Sequence, residues 1–114
     1  MRLVEILKMV SEPTRIRIIN LLLEKVLCVC ELQEILNLPQ VTVSKHMSKL
    51  RENNIVESEK IAQRVFYRLT DEIKSNQDLI NLIKNNRNDL IFVKDLEQEI
   101  IVNETNRDYK CPTN

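Results

Sequence analysis

The sequence predicts a mostly α-helical domain with one small β-hairpin, and three observations predict it. Apolar residues recur at helical spacing through four segments before residue 53. The period changes to alternation over residues 56–69, where strand formers gather in Val65-Phe66-Tyr67-Arg68-Leu69. From Ser75 the helical period returns. The expected order is α-α-α-α-β-β-α.

Each element has its own signal. Leu3, Ile6, Leu7 and Val10 define a first helix over Arg2 to Val10. Ser11 and Glu12 precede Pro13, a residue favoured in a first helical turn. The second helix runs through Arg15 to about Glu24 and buries Ile16, Ile19, Leu22 and Leu23. A short third, about Cys30 to Leu36, sets Leu32, Ile35 and Leu36 on one side. Asn37-Leu38-Pro39 ends it, because a residue before proline resists the helical region. Pro39 opens the fourth helix, which reaches about Glu52 and seats on Val43, Met47 and Leu50. The link Ile61-Ala62-Gln63-Arg64 is short enough for a hairpin. Leu79, Ile80, Ile83, Leu90 and Val93 predict one long final helix, with a charged amphipathic stretch to Val102. Two helices joined by a tight turn and followed by a hairpin make a winged helix-turn-helix.

Length and composition bound the function. A chain of 114 residues is read as one domain over 1–102 with a flexible polar C-terminal tail, 103–114. A domain this small gains from pairing with a second copy. No run reaches the roughly 18 apolar residues of a membrane span, and residues 1–10 lack a signal-peptide pattern. A cytoplasmic location is expected. Glycine is absent, so left-handed backbone positions fall to residues such as Asn37, Asn53 and Asn54. There is no Gly-rich phosphate loop and no plausible Ser-His-Asp or Cys-His set, so an enzyme is not expected.

Seventeen basic and seventeen acidic residues give zero net charge, which by itself counts against nucleic-acid binding. Position matters more. Thr42 to Arg51 contains no acidic residue, so a neutral chain still presents a basic patch. Gln40 suits adenine edges, and Thr42 and Ser44 can reach bases or phosphates. Lys45, Lys49 and Arg51 supply charge for the DNA backbone, and His46 can donate to a phosphate. Arg64 and Lys60 on the hairpin would make a second contact in a neighbouring groove. Alone, this helix reads equally well as an ordinary amphipathic helix with a solvated face. The turn before it and the hairpin after it favour double-stranded operator DNA.

Four runs carry a family resemblance, in continuous order over about residues 3–73. Ser11-Glu12-Pro13-Thr14-Arg15-Ile16-Arg17-Ile18 resembles the opening motif of the ArsR (SmtB/ArsR) family of metal-responsive repressors. Leu27-Cys28-Val29-Cys30-Glu31-Leu32 is similar to the thiol motif of its arsenite-sensing branch. Gln40 to Met47 with Leu50-Arg51 resembles its recognition helix, and Val65 to Leu69 its wing. The resemblance implies a homodimer built on the first and last helices. It also implies repression of a metal efflux or detoxification operon, relieved by metal. The family wing usually turns on a glycine, where this chain has Ala62-Gln63.

Within that motif Cys28 and Cys30 are read as ligands for As(III) or Sb(III), because thiolates select soft ions. In a regular helix residues i and i+2 lie about 200° apart, so one ion could be gripped only by distorting the helix start. An isolated pair of this spacing would instead read as two small buried hydrophobes, and a strained disulfide switch is a third reading. As(III) prefers three sulfurs, and Gln33 stands where the best-known motif has its third cysteine. Cys111 from the tail, an external thiol, or an organoarsenical needing only two thiols would each resolve this. A Cd(II)/Pb(II) sensor of the same family is an alternative, although residues 1–27 contain no cysteine. So is a winged-helix regulator or interaction module that senses no metal. No histidine falls within 76–102, so a zinc site on the last helix is not expected.

Overall fold

The structure, a computed structural model, describes residues 1–105, with backbone alone for Leu90 and residues 103–105. The order is α1 (Arg2–Val10), α2 (Pro13–Leu22), β1 (Leu27–Cys28), α3 (Val29–Leu36), α4 (Gln40–Glu52), β2 (Val56–Ile61), β3 (Arg64–Leu69), α5 (Asp71–Lys74), α6 (Gln77–Asn85) and α7 (Leu90–Thr105). The fold is the expected mostly helical winged helix-turn-helix, with two differences. A strand, β1, precedes α3, and the single long final helix expected from Ser75 is two shorter ones, α6 and α7, with the one-turn α5 ahead of them.

The joint between α1 and α2 is built from the Ser11-Glu12-Pro13 run. Glu12 caps α2, its carboxylate accepting the Arg15 N–H at 2.8 Å, with Pro13 opening the first turn. The Arg15 guanidinium reaches back to the Met9 carbonyl at 2.8 Å, which closes the last turn of α1. Burial opposes ionisation of Glu12. The Arg15 and Thr14 amides and His46 outweigh it and hold its carboxyl below the ordinary value. Helix α2 is central, touching α1, α4, β3 and α7. Its burial therefore departs from a single stripe: Ile18, Ile19, Leu21 and Leu22 are buried, while Ile16 and Leu23 are only half-buried.

In the helix-turn-helix, α3 ends on Asn37 at φ 55°, and the Leu38 N–H returns to the Gln33 carbonyl at 3.2 Å. Pro39 caps α4 in extended backbone. Val43, Met47 and Leu50 are fully buried, the seat that the helical period predicts. Asn54 takes the second left-handed position, at φ 57°, whereas Asn53 does not. The third is Ala62, φ 57°, in the two-residue turn closed by the pair Ile61 and Arg64. Here a Cβ occupies a position that favours glycine, at a modest conformational cost.

The sheet order is β1-β3-β2, all antiparallel. Leu27 pairs with Tyr67, and Cys28 with Phe66. A two-residue strand is too short to carry a period, so this third strand leaves no mark in the sequence pattern.

Polar side chains break the last helical stretch. Asn76 caps α6 by accepting the Leu79 N–H at 3.2 Å, and Asn86 donates to the Leu82 carbonyl at 2.7 Å where α6 ends. Helix α7 then folds back across α2 and α3. Val102 enters the same core as Leu27, Leu32 and Leu36. Asp95, only 2% exposed, receives Arg17 through both carboxylate oxygens, at 2.9 and 3.0 Å. Arg87 ties the α6–α7 link to Asn20 at 2.7 Å and Glu24 at 2.9 Å. The helix runs through the boundary expected at residue 102. Residues 106–114, which hold most of the expected tail, lie outside the described residues.

Glu99 of α7 is 3% exposed, and its Oε2 has no hydrogen-bond partner among the described residues. Burial lifts its carboxyl from 4.5 to about 7; Lys25 and Arg87 pull it down, and Glu24 and Glu31 push it up. A carboxyl raised on folding binds more protons in the native state. Its contribution is therefore full below 4.5 and is lost as pH rises through about 7. Denaturant midpoints should fall across that window, and Glu99→Gln should flatten the fall. An equal slope in both proteins would remove Glu99 as its source. In the core, Leu32→Ala should cost about 2–5 kcal/mol in urea unfolding.

Candidate nucleic-acid interface and thiol junction

The outer face of α4 carries the candidate DNA-reading surface. Gln40, Val41, Ser44, Lys45, Ser48 and Lys49 line a shallow groove of about 470 Å³. Four of the residues expected from sequence, Gln40, Ser44, Lys45 and Lys49, come together there. Thr42 is half-buried on the same helix but does not line the groove. Val41 and Ser48 were not foreseen. Val41 is 64% exposed although apolar, as a contact for a thymine methyl would be. Their signal was the spacing 41, 44, 45, 48, which falls opposite the buried stripe 43, 47, 50. Lys49 and Arg51 occupy the last turn, where cations suit the helix dipole, and the first turn holds no acid.

Two expected DNA contacts point elsewhere. His46 is turned towards the cap of α2, with Nδ1 3.6 Å from Glu12 Oε2 and a side chain mostly covered. The physical reason is phase: position 46 lies beside the seat residue Met47 and faces α2 rather than the groove. Arg64 sits at the wing turn but directs its guanidinium inward, donating from Nη2 to Cys28 Sγ at 3.4 Å. The same nitrogen lies 3.7 Å from Glu31 Oε1, and the guanidinium carbon 5.0 Å from the Phe66 ring centroid. Farther along β3, Arg68 is held by Glu57 and Glu59, each at 2.8 Å. Lys60 remains exposed.

The thiol pair straddles a junction. Cys28 is the last residue of β1 and the cap of α3, 1% exposed and extended at φ −91°, ψ 165°. Cys30 is half-buried in the first turn of α3. Cys28 is extended and Cys30 helical, so the pair straddles the helix start, as the expected beginning of this helix at about Cys30 implies. The Cys28 N–H donates to Glu31 Oε1 at 3.1 Å, so the carboxylate of the same motif fixes the cap. Both cysteines are in disulfide linkage in the structure, and soft-ion chemistry at them requires the reduced protein. Among the described residues no group of three or more His, Cys, Asp or Glu side chains is placed to hold a metal. Cys111 lies outside the described residues. No described helix is long and apolar enough to cross a membrane.

Lys45→Ala should weaken operator binding for every sequence and reduce the salt slope by about one unit, as loss of one phosphate contact does. His46→Ala should leave that slope unchanged and lower thermal stability instead. Anisotropy titrations at several salt concentrations, with melting curves, separate the two.

Comparison with known proteins agrees with this geometry. The profile of the arsR family of bacterial regulatory proteins matches residues 12–58, from the cap of α2 into the wing. The arsenical resistance operon repressor of Staphylococcus xylosus is 39% identical over 80 residues, covering 67% of this chain and 77% of that one. The biofilm growth-associated repressor of Xylella fastidiosa is 37% identical over 78 residues, covering 68% of this chain and 67% of that one. Among solved structures, HlyU from Vibrio cholerae superposes with a TM-score of 0.65 at 35% identity, covering 72% of this chain and 90% of that one. A basic helix-turn-helix seated beside a wing, in a chain whose relatives are repressors rather than enzymes, identifies this protein as a transcriptional repressor of the arsR family.

Proposed function

We propose that the chain is a metalloid-responsive repressor, bound to operator DNA as a homodimer in the cytoplasm and released when As(III) or Sb(III) occupies Cys28 and Cys30. One observation carries this reading: Cys28 is at once a strand partner of the wing and the cap of the helix that supports α4. An ion held by both sulfurs must draw the cap towards the first turn of α3. A ligand that favours the drawn-in form disfavours the DNA-bound form by the same factor. Each As–S bond replaces an As–OH bond, the thiol proton leaving with hydroxide as water, and no electrons change hands. Two soft sulfurs beside a buried carboxylate suit a thiophilic ion, and the arsenical resistance repressor is a relative.

The remaining site assignments belong to the same reading. Gln40, Thr42, Ser44, Lys45 and Lys49 face DNA, joined by Val41 and Ser48. Cys111 is the candidate third sulfur. Helix α7 packs on α3, and in sequence five residues separate its last residue, Thr105, from Cys111. Residues 1–102 are proposed as the folded unit for DNA binding and pairing. Helix α1 leaves Leu3 and Leu7 exposed, and α6 leaves Leu82 exposed, apolar faces that a second copy would cover. A second reading, thiol oxidation as the signal, is favoured by the disulfide linkage of both cysteines.

Operator anisotropy under reducing conditions should show release by arsenite and antimonite, weaker release by cadmium, and none by zinc. Cys28→Ser should abolish it. A complex that survives arsenite but dissociates in hydrogen peroxide without reductant would replace the metalloid reading with the oxidative one. Cys111→Ser should lower arsenite affinity at least tenfold if it is the third ligand; unchanged affinity would remove it from the site.

A further inference from the structure

Arg64 belongs to the wing by sequence and to the thiol junction by contact. Its backbone pairs with Ile61 at the hairpin turn, while its guanidinium donates to the Cys28 sulfur at 3.4 Å. Glu31 Oε1, 3.7 Å from the same Nη2, also accepts the Cys28 N–H. Phe66, under the guanidinium, is the strand partner of Cys28. One planar side chain therefore meets the sulfur, the carboxylate that fixes its cap, and the ring opposite it.

The wing needs such an anchor. Strand β1 backs β3 only at Phe66 and Tyr67, so the ladder from Lys60 and Val65 to the turn is two-stranded. A two-stranded hairpin is marginal on its own in water, and this one turns on Ala62 in a left-handed conformation. The position of its tip depends on what its side chains grip, and Arg64 grips the junction.

We propose that Arg64 is the positioning residue that couples the Cys28 sulfur to the wing, holding the hairpin in its DNA-binding pose and losing that hold when a soft ligand takes the sulfur. A soft ion bonds sulfur at about 2.3 Å, well inside the 3.4 Å donor contact, and competes for the same electron density. The guanidinium must then withdraw, and the wing tip goes with it. The second half of this inference rests on the thiol-sensing reading; the first half does not.

The test uses the full, reduced chain and a double-mutant cycle read by hydrogen exchange of the wing amides at 60–65. Cys28→Ala and Arg64→Gln should each speed exchange roughly tenfold, as loss of one charged hydrogen bond does. The double variant should be no faster than the faster single one, because both remove the same contact. Multiplicative effects would overturn the proposal. Arg64→Lys, which keeps a donor and a charge, should exchange more slowly than Arg64→Gln; equal rates would also overturn it. If Arg64→Gln does not fold, Arg64→Lys takes its place in the cycle. In a second arm, Arg64→Gln should shrink the arsenite-driven loss of operator affinity about tenfold. Its own arsenite affinity, read by As–S absorption, should rise by up to about tenfold, because the ion no longer has to displace the guanidinium. An undiminished loss of operator affinity would overturn the coupling. Failure of wild type to bind arsenite would sink the sensing reading, leaving the exchange cycle to judge Arg64 alone.

Discussion

The hydrogen bond from the Cys28 amide to the Glu31 carboxylate, 3.1 Å long, marks where strand becomes helix. The rest of the DNA-binding unit takes its bearings from that point. Upstream, the pairing of Leu27 and Cys28 with β3 sets the sheet against the helical body. Downstream, Leu32, Ile35 and Leu36 leave the cap in the correct phase to enter the core that also seats Val43 and Met47 of α4. A shift of the cap would rotate this apolar face out of register. That is why a thiol at the junction has mechanical leverage that the same thiol on an exposed helix face would lack.

Charge is divided to the same end. The chain is neutral overall, yet its cations differ in what they hold. Arg2, Arg15, Arg17 and Arg87 tie helices and their links together, through Glu72, the α1 carbonyls, Asp95 and Asn20 with Glu24. Arg68 is neutralised by Glu57 and Glu59 on the wing. Lys45, Lys49 and Arg51 are exposed on α4. The paired arginines, with their planar forks, fix geometry between elements, whereas these solvated cations face outward. Exposed ion pairs of this kind add little stability each, whereas Arg17 with Asp95 is largely covered and should be costly to break from one side.

The helix-turn-helix was legible because its signals are local and agree. The 3.6-residue period gives α3 and α4, Asn37-Leu38-Pro39 gives the turn, and Val43, Met47 and Leu50 give the seat. The hairpin was legible from its strand formers. Three features were not. Strand β1 is only two residues long. The breaks on either side of α6 depend on asparagine side chains, Asn76 and Asn86, that choose caps over helix interior only once the chain has folded back. The inward turns of His46 and Arg64 are tertiary facts: each side chain lies against a carboxylate, Glu12 or Glu31, distant in sequence. Sequence position placed both residues on the DNA-binding elements but could not say which way they point.

Helix α7 carries a consequence for biosynthesis. The Arg17–Asp95 pair spans 78 residues, and Val102 completes a core whose other members begin at Ile6. During vectorial synthesis the helix-turn-helix emerges from the ribosome while its supporting groove across α2 and α3 still lacks its last layer. The nascent domain must wait for synthesis to pass Val102 before that groove is closed, a long-range requirement that slows folding. Truncations ahead of residue 95 would thus be met by quality control as incompletely buried chains, even though every residue proposed to read DNA had already been made.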